Sequence, residues 1–207
     1  MHEKIPFIEY MKDVYGNNVL QAEPQSPLEA FRKAIRDCRE CSLAETRHHL
    51  VFGAGNPDAD ILFVGEAPGE QEDLSGIPFV GRAGKLLDSI LQEIGIRRED
   101  VFIANVLKCR PPGNRDPLPQ EIEVCEKHLH RQIELIKPKV IVALGRIAAN
   151  TLLRQSYALK DMRGITYRYH DTDLRVTYHP AAILRNMGML DLLKNDLLEI
   201  SRTYHRA

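Results

Sequence analysis

No apolar run in this 207-residue chain approaches the roughly 18 residues that a membrane span requires. Met1–Leu20 mixes charged residues with isolated apolar ones and lacks the apolar core of a secretory leader, so a cytoplasmic protein is expected. Excess charge of one sign is missing too. Against 28 Lys and Arg stand 29 Asp and Glu, a net charge of −1, so nothing pulls the whole molecule toward nucleic acid. Any DNA contact must come from a local basic face. Internal repeats and low-complexity blocks are absent, which excludes solenoids and long linkers. Cysteine is scarce, four in all. A chain of this length buries a sizeable core without staples, and structural disulfides are rare in the cytoplasm. The four thiols are therefore free, metal-binding or catalytic.

What is present reads as an alternation of strands and helices. Residues 1–25 show no clear periodicity and are expected to form an N-terminal extension to a single domain over 26–207. Ser26-Pro27-Leu28-Glu29 predicts a helix start, with Ser26 as N-cap, Pro27 in the first turn and Glu29 completing a capping box. The helix runs to Cys38. Ile61–Val64, Val101–Val106 and Val140–Leu144 are short apolar runs that suit strands buried on both faces. Tyr167–His170 and Leu174–Tyr178 read as further strands, and Gly65–Gly81 as a long loop. Helices are expected at Leu86–Ile94, from Pro119 to about Lys137, at Arg146–Arg154 and at Asp191–Arg202. The pattern predicts a three-layer α/β/α sandwich around a central, mainly parallel four-stranded sheet. Sites in such sheets lie beyond the C-terminal strand ends. Glu66, Asn105 and His179 each sit at or just past such an end, so they share one rim.

Cys38 and Cys41 form a C-x2-C pair; Cys109 follows the second strand and Cys125 lies on the next helix. Four thiolates suit zinc or an iron–sulfur cluster. The wide second pair favours iron–sulfur, and four buried free thiols are the plainer alternative.

The loop Gly65-Glu66-Ala67-Pro68-Gly69-Glu70-Gln71-Glu72-Asp73 matches neither the P-loop nor the dinucleotide fingerprint. Taken with Pro78-Phe79-Val80-Gly81, Asn105, Lys108–Arg115 and Tyr178-His179-Pro180-Ala181-Ala182-Ile183-Leu184-Arg185, it is more specific. Together these segments resemble the family 4 uracil-DNA glycosylases in order and spacing, from about Cys38 to Arg202. The resemblance implies a monofunctional DNA-repair hydrolase acting on uracil in single- or double-stranded DNA. It also implies a [4Fe–4S] cluster on Cys38, Cys41, Cys109 and Cys125, with zinc the lesser occupant. Two departures from relatives stand out. Family 1 enzymes carry an Asp where this chain has Ala67, and the His-containing insert of the covalently trapping branch is missing.

By that resemblance Glu66, Ala67, Pro68, Phe79, Asn105 and His179 bind a uracil flipped from the stack. Phe79 stacks on the ring, although alone it reads as a core Phe. Asn105 offers an acceptor and two donors to the O4 and N3–H edge, a pattern that cytosine reverses. His179 donates to O2, where negative charge gathers as the base departs. Glu66 positions or deprotonates the water, or stabilises the sugar cation. Glu72 and Asp73 hold the loop together as the simpler alternative. Leu184 acts as a minor-groove wedge or, alternatively, as a helical core residue. Lys108, Arg110, Arg115, Arg163 and Arg185 are candidate phosphate contacts. The cluster would order the Arg110–Arg115 loop without redox turnover. A monomer suffices for such an enzyme. Two other readings compete: a catalytically inactive DNA- or replication-associated binding module of the same fold, and a four-thiolate zinc hydrolase.

Overall fold

The structure is a computed structural model that describes residues 26–205; the expected extension over 1–25 lies outside the described residues. Chain order runs α1 (Pro27–Ile35), β1 (Ala54–Gly55), β2 (Ile61–Gly65), α2 (Glu70–Ser75), α3 (Arg82–Glu93), β3 (Phe102–Asn105) and α4 (Pro119–Ile136). It continues through β4 (Val140–Leu144), α5 (Arg146–Leu153), α6 (Leu159–Met162), β5 (Thr166–Tyr169), β6 (Thr172–Thr177), α7 (Pro180–Arg185) and α8 (Leu190–Tyr204). One sheet holds the strands in the order β1-β3-β2-β4-β6-β5. The sheet is mainly parallel, as expected, but has six strands rather than four: the four central strands are parallel, and the short β1 and β5 add antiparallel edges.

Strand alternation builds the two cores, because successive side chains point to opposite faces. On β2, Leu62 and Val64 pack with Leu129 and Ile133 of α4 and Ala148 and Leu152 of α5. Ile61 and Phe63 face the other way, onto Leu87 and Ile90 of α3 and Leu193 and Leu197 of α8. All five residues of β2 and of β4 are buried, which is why both read as unbroken apolar runs.

Three local expectations need correction. Ser26 does cap α1, accepting the Glu29 N–H at 3.2 Å, but Glu29 makes no return bond; its carboxylate takes Arg32 at 2.7 and 2.8 Å instead. Within the loop expected over Gly65–Gly81 stands the helix α2, started where the Glu72 carboxylate folds back to accept the Gly69 N–H at 3.1 Å. The edge strand β1 escaped notice because two residues carry no alternation to read.

Candidate active site and four-cysteine site

Parallel pairing places Gly65 of β2 directly beside Asn105 of β3. The β6 strand, two strands away, ends at Thr177 and delivers His179 to the same rim. A cavity of about 540 Å³ opens there. Glu66, Ala67, Pro68, Phe79, Asn105 and His179 all line it, so the structure brings the six expected pocket residues together.

Asn105 is 1% exposed, and its Oδ1 has no hydrogen-bond partner. A buried acceptor left unpaired costs about 1–3 kcal/mol. Gly65 makes room for it, since a Cβ there would collide with Asn105 Oδ1 and the Phe79 ring. Phe79 is buried with φ at 53°, a left-handed conformation that bulky residues avoid. Strain of this kind gathers at working sites. The backbone of Gly84, in α3, sits hard against the Phe79 carbonyl, where a Cβ cannot fit. The Phe79 and His179 rings lie 5.5 Å apart, tilted by 36°.

His179 caps α7 and accepts the Ala181 N–H on Nδ1 at 3.1 Å. Burial, reinforced by Arg185, pulls its pKa down to about 4. The ring is thus neutral at physiological pH and carries its proton on Nε2. Glu66 behaves in the opposite sense. Burial, then the charge of Asp116, pushes its pKa up to about 7, with Arg146 opposing. A carboxyl poised near neutrality is suited to proton transfer. Asp116 and Arg146 line the cavity but were missed in the sequence. Arg146 opens α5 just beyond β4, so the strand-end rule that selects Glu66, Asn105 and His179 selects it equally.

Neighbouring carboxylates tie the loop down. Glu72 accepts the N–H groups of Val80 and Gly81 at 3.0 and 2.8 Å. Asp73, 1% exposed, accepts the His48 main-chain N–H at 3.0 Å and faces its ring Nδ1 at 2.7 Å. The loop-holding alternative for these two residues matches this geometry.

The candidate phosphate contacts divide. Lys108 is a correction: it is 0% exposed and donates to the Asn105 carbonyl and Gln132 Oε1, so it cannot reach a phosphate. Arg163 is a second correction. Its guanidinium donates twice to Asp196 at 2.9 Å and lies 4.4 Å over the Tyr178 ring, an engagement that fastens α8 to the end of β6. Arg115 lines the cavity while bonding Glu121, and Arg110 donates to Asn114 at 2.8 Å. Arg185 is exposed with no ion pair among the described residues, and Leu184 beside it is half-buried. Ile183 takes the core position on α7, at 0% exposure.

All four cysteines converge on a second, small cavity. Cys109 and Cys125 are buried, Cys38 and Cys41 half-buried. Donors surround the sulfurs: Arg47 donates to Cys109 and the Lys108 main-chain N–H to Cys125, both at 3.2 Å, and His128 Nε2 lies 3.5 Å from Cys38. Burial pushes the Cys109 thiol up and Cys125 to about 11. Buried thiolates need positive charge nearby, which a bound metal would supply. The donor set therefore fits a four-thiolate metal group. Sequence reasoning did not find Glu40 and His128, which lie beside Cys38 with donor atoms within 4.8 Å of one another.

The family model for the uracil DNA glycosylase superfamily matches residues 52–200. A type-4 uracil-DNA glycosylase of Archaeoglobus fulgidus is 46% identical over 84% of this chain and 91% of its own length. That of Sulfurisphaera tokodaii is 44% identical over 84% and 83%, and that of Thermotoga maritima 46% over 77% and 84%. The chain belongs to the uracil-DNA glycosylase superfamily and, within it, to the type-4 family. Within the superfamily scaffold, what this chain does is decided by the side chains of the rim on which Glu66, Asn105 and His179 meet.

Proposed function

We propose that this chain is a monofunctional uracil-DNA glycosylase of DNA repair, hydrolysing the bond between uracil and deoxyribose to leave an abasic site. The unpaired Oδ1 of buried Asn105 carries this reading. A flipped uracil offers its N3–H to that acceptor, and its O4 to the Asn105 amide donors. Cytosine presents a bare N3 and an amino group instead, leaving buried groups unpaired, and such mismatches discriminate strongly.

The chemistry follows from the neighbours. The C1′–N1 bond breaks and the base leaves with the electron pair, its charge spreading to O2. The Nε2–H of neutral His179 donates to that oxygen, an interaction stronger in the transition state than in the ground state. Phe79 stacks on the ring. Glu66 in its ionised form orients a water and takes its proton as the oxygen bonds to C1′; the departing base gains a proton from solvent. Arg110, Arg115 and Arg185 contact phosphates, and Leu184 enters the space left by the base.

Cys38, Cys41, Cys109 and Cys125 hold a [4Fe–4S] cluster in this reading, zinc being the lesser occupant. When bound, the cluster cross-links the turn after α1, the loop after β3 and α4. A reducing, cytoplasmic setting suits four thiols kept for a metal. Residues 26–207 act as one domain, and as a monomer, because a single-site repair enzyme needs no partner subunit.

The test is incubation with an oligonucleotide bearing one uracil, followed by alkali to cut abasic sites. Strand cleavage by wild type, lost in Asn105→Ala and His179→Ala, is expected. DNA binding without cleavage by an iron-loaded protein would replace this reading with that of a binding module.

A further inference from the structure

Lys108 is among the largest fully buried side chains in the molecule, at 0% exposure. Lysine is almost never so buried unless paired. Its Nζ donates to the main-chain carbonyl of Asn105 at 2.7 Å and to Gln132 Oε1 at 2.5 Å, both neutral acceptors. Gln132 is equally buried and is held in turn, donating its Nε2 to the Phe52 carbonyl at 2.8 Å. Through its main-chain N–H, Lys108 also bonds Cys125 Sγ. One residue therefore touches Asn105 with its side chain and the four-cysteine site with its backbone.

We propose that Lys108 is a positioning residue for base recognition: its buried Nζ links the Asn105 carbonyl to Gln132 and so holds the Asn105 amide in the cavity. This inference rests on the reading of Asn105 as the group that recognises the base. Asn105 ends β3; the next two N–H groups, of Val106 and Leu107, still bond the Gly65 and Glu66 carbonyls, whereas the Asn105 carbonyl takes its donor from the Lys108 side chain. Small misplacements of such a group are costly, since about 1 Å can lower a rate roughly 100-fold.

Lys108→Met keeps the length of the side chain and removes charge and donors. Three quantities separate its role from plain structural support: inhibition by free uracil, affinity for a duplex containing an abasic site, and iron bound per chain. Inhibition by uracil is expected to weaken about 10-fold or more, with abasic-duplex affinity and iron content as in wild type. Gln132→Leu, which withdraws one of the two acceptors, should act in the same direction by less; it serves as the test should Lys108→Met not fold. Unchanged uracil inhibition in a folded variant overturns the proposal. So does loss of iron together with uracil binding, which would place Lys108 in the service of the cysteine loop alone. A wild-type protein that uracil does not inhibit would instead sink the reading of the base pocket itself.

Discussion

The Ala181 N–H donates to Nδ1 of His179, two residues back, and thereby decides where the imidazole keeps its proton. With Nδ1 an acceptor, Nε2 is the donor. The depressed pKa of about 4 means that no ionisation of His179 shapes activity between pH 5 and 8. The unfolded ring, at 6.5, binds a proton before the folded one does, so stability falls as pH drops from 6.5 to 4. His179→Gln should flatten thermal stability over that interval while cutting excision by roughly 100- to 1000-fold, the range for loss of one preorganised donor. Melting curves at pH 4.5 and 7 and single-turnover rates check both halves.

Glu66 predicts the opposite slope. Its folded pKa, about 7, exceeds the usual 4.5, so the stability it contributes is full below 4.5 and lost as pH rises through 7. Glu66→Gln should melt higher than wild type at pH 8 and no differently at pH 4. The rate of wild type should climb between pH 6 and 8 as the carboxylate forms. In the variant that limb should vanish and the rate fall by about 100- to 10000-fold.

Gly84→Ala drives a methyl group into the Phe79 carbonyl. Overpacking of this kind costs about 1–3 kcal/mol. Because Phe79 already holds a left-handed backbone, the loop rather than α3 should yield, and binding of free uracil should weaken along with stability. Denaturant titration and uracil inhibition measure the two effects. Full uracil binding in a destabilised variant would show that the Phe79 ring is not part of the recognition.

Arg185 and Arg163 should respond differently to salt. Arg185, a proposed phosphate contact, is exposed with no ion pair among the described residues, and Arg185→Ala should reduce the slope of log affinity against log salt concentration by about 0.9. Arg163→Ala should leave that slope alone and lower the melting temperature, since its guanidinium is spent on Asp196 and Tyr178. Fluorescence anisotropy across a salt series separates the two residues.

Cys125→Ser should abolish the brown colour of a cluster-loaded protein and destabilise the fold, because Cys125 ties α4 to the loop that carries Lys108. A colourless wild type containing zinc would assign the site to the other metal.

Much of this was legible in the residues. Apolar runs that are buried on both faces announce parallel strands, and β2 and β4 behave so because each must cover two helical layers. The strand-end rule then gathers Glu66, Asn105 and His179 without reference to any contact. The helix α2 was harder to see: it depends on the Glu72 carboxylate returning to Gly69, Val80 and Gly81, the last two reached only once the loop has closed.

Sequence by itself determined the order of the central strands and the longer helices, the shared rim, the quartet of thiols and the family, since all of these rest on periodicity, spacing and residue type, which are local. Tertiary structure alone decided which cations meet solvent. Lys108 and Arg163 have the same composition-level credentials as Arg185, yet one is sealed beneath Asn105 and the other locked onto Asp196. Burial and pairing depend on partners distant in the chain, and a charge shows its neighbours only after folding has chosen them.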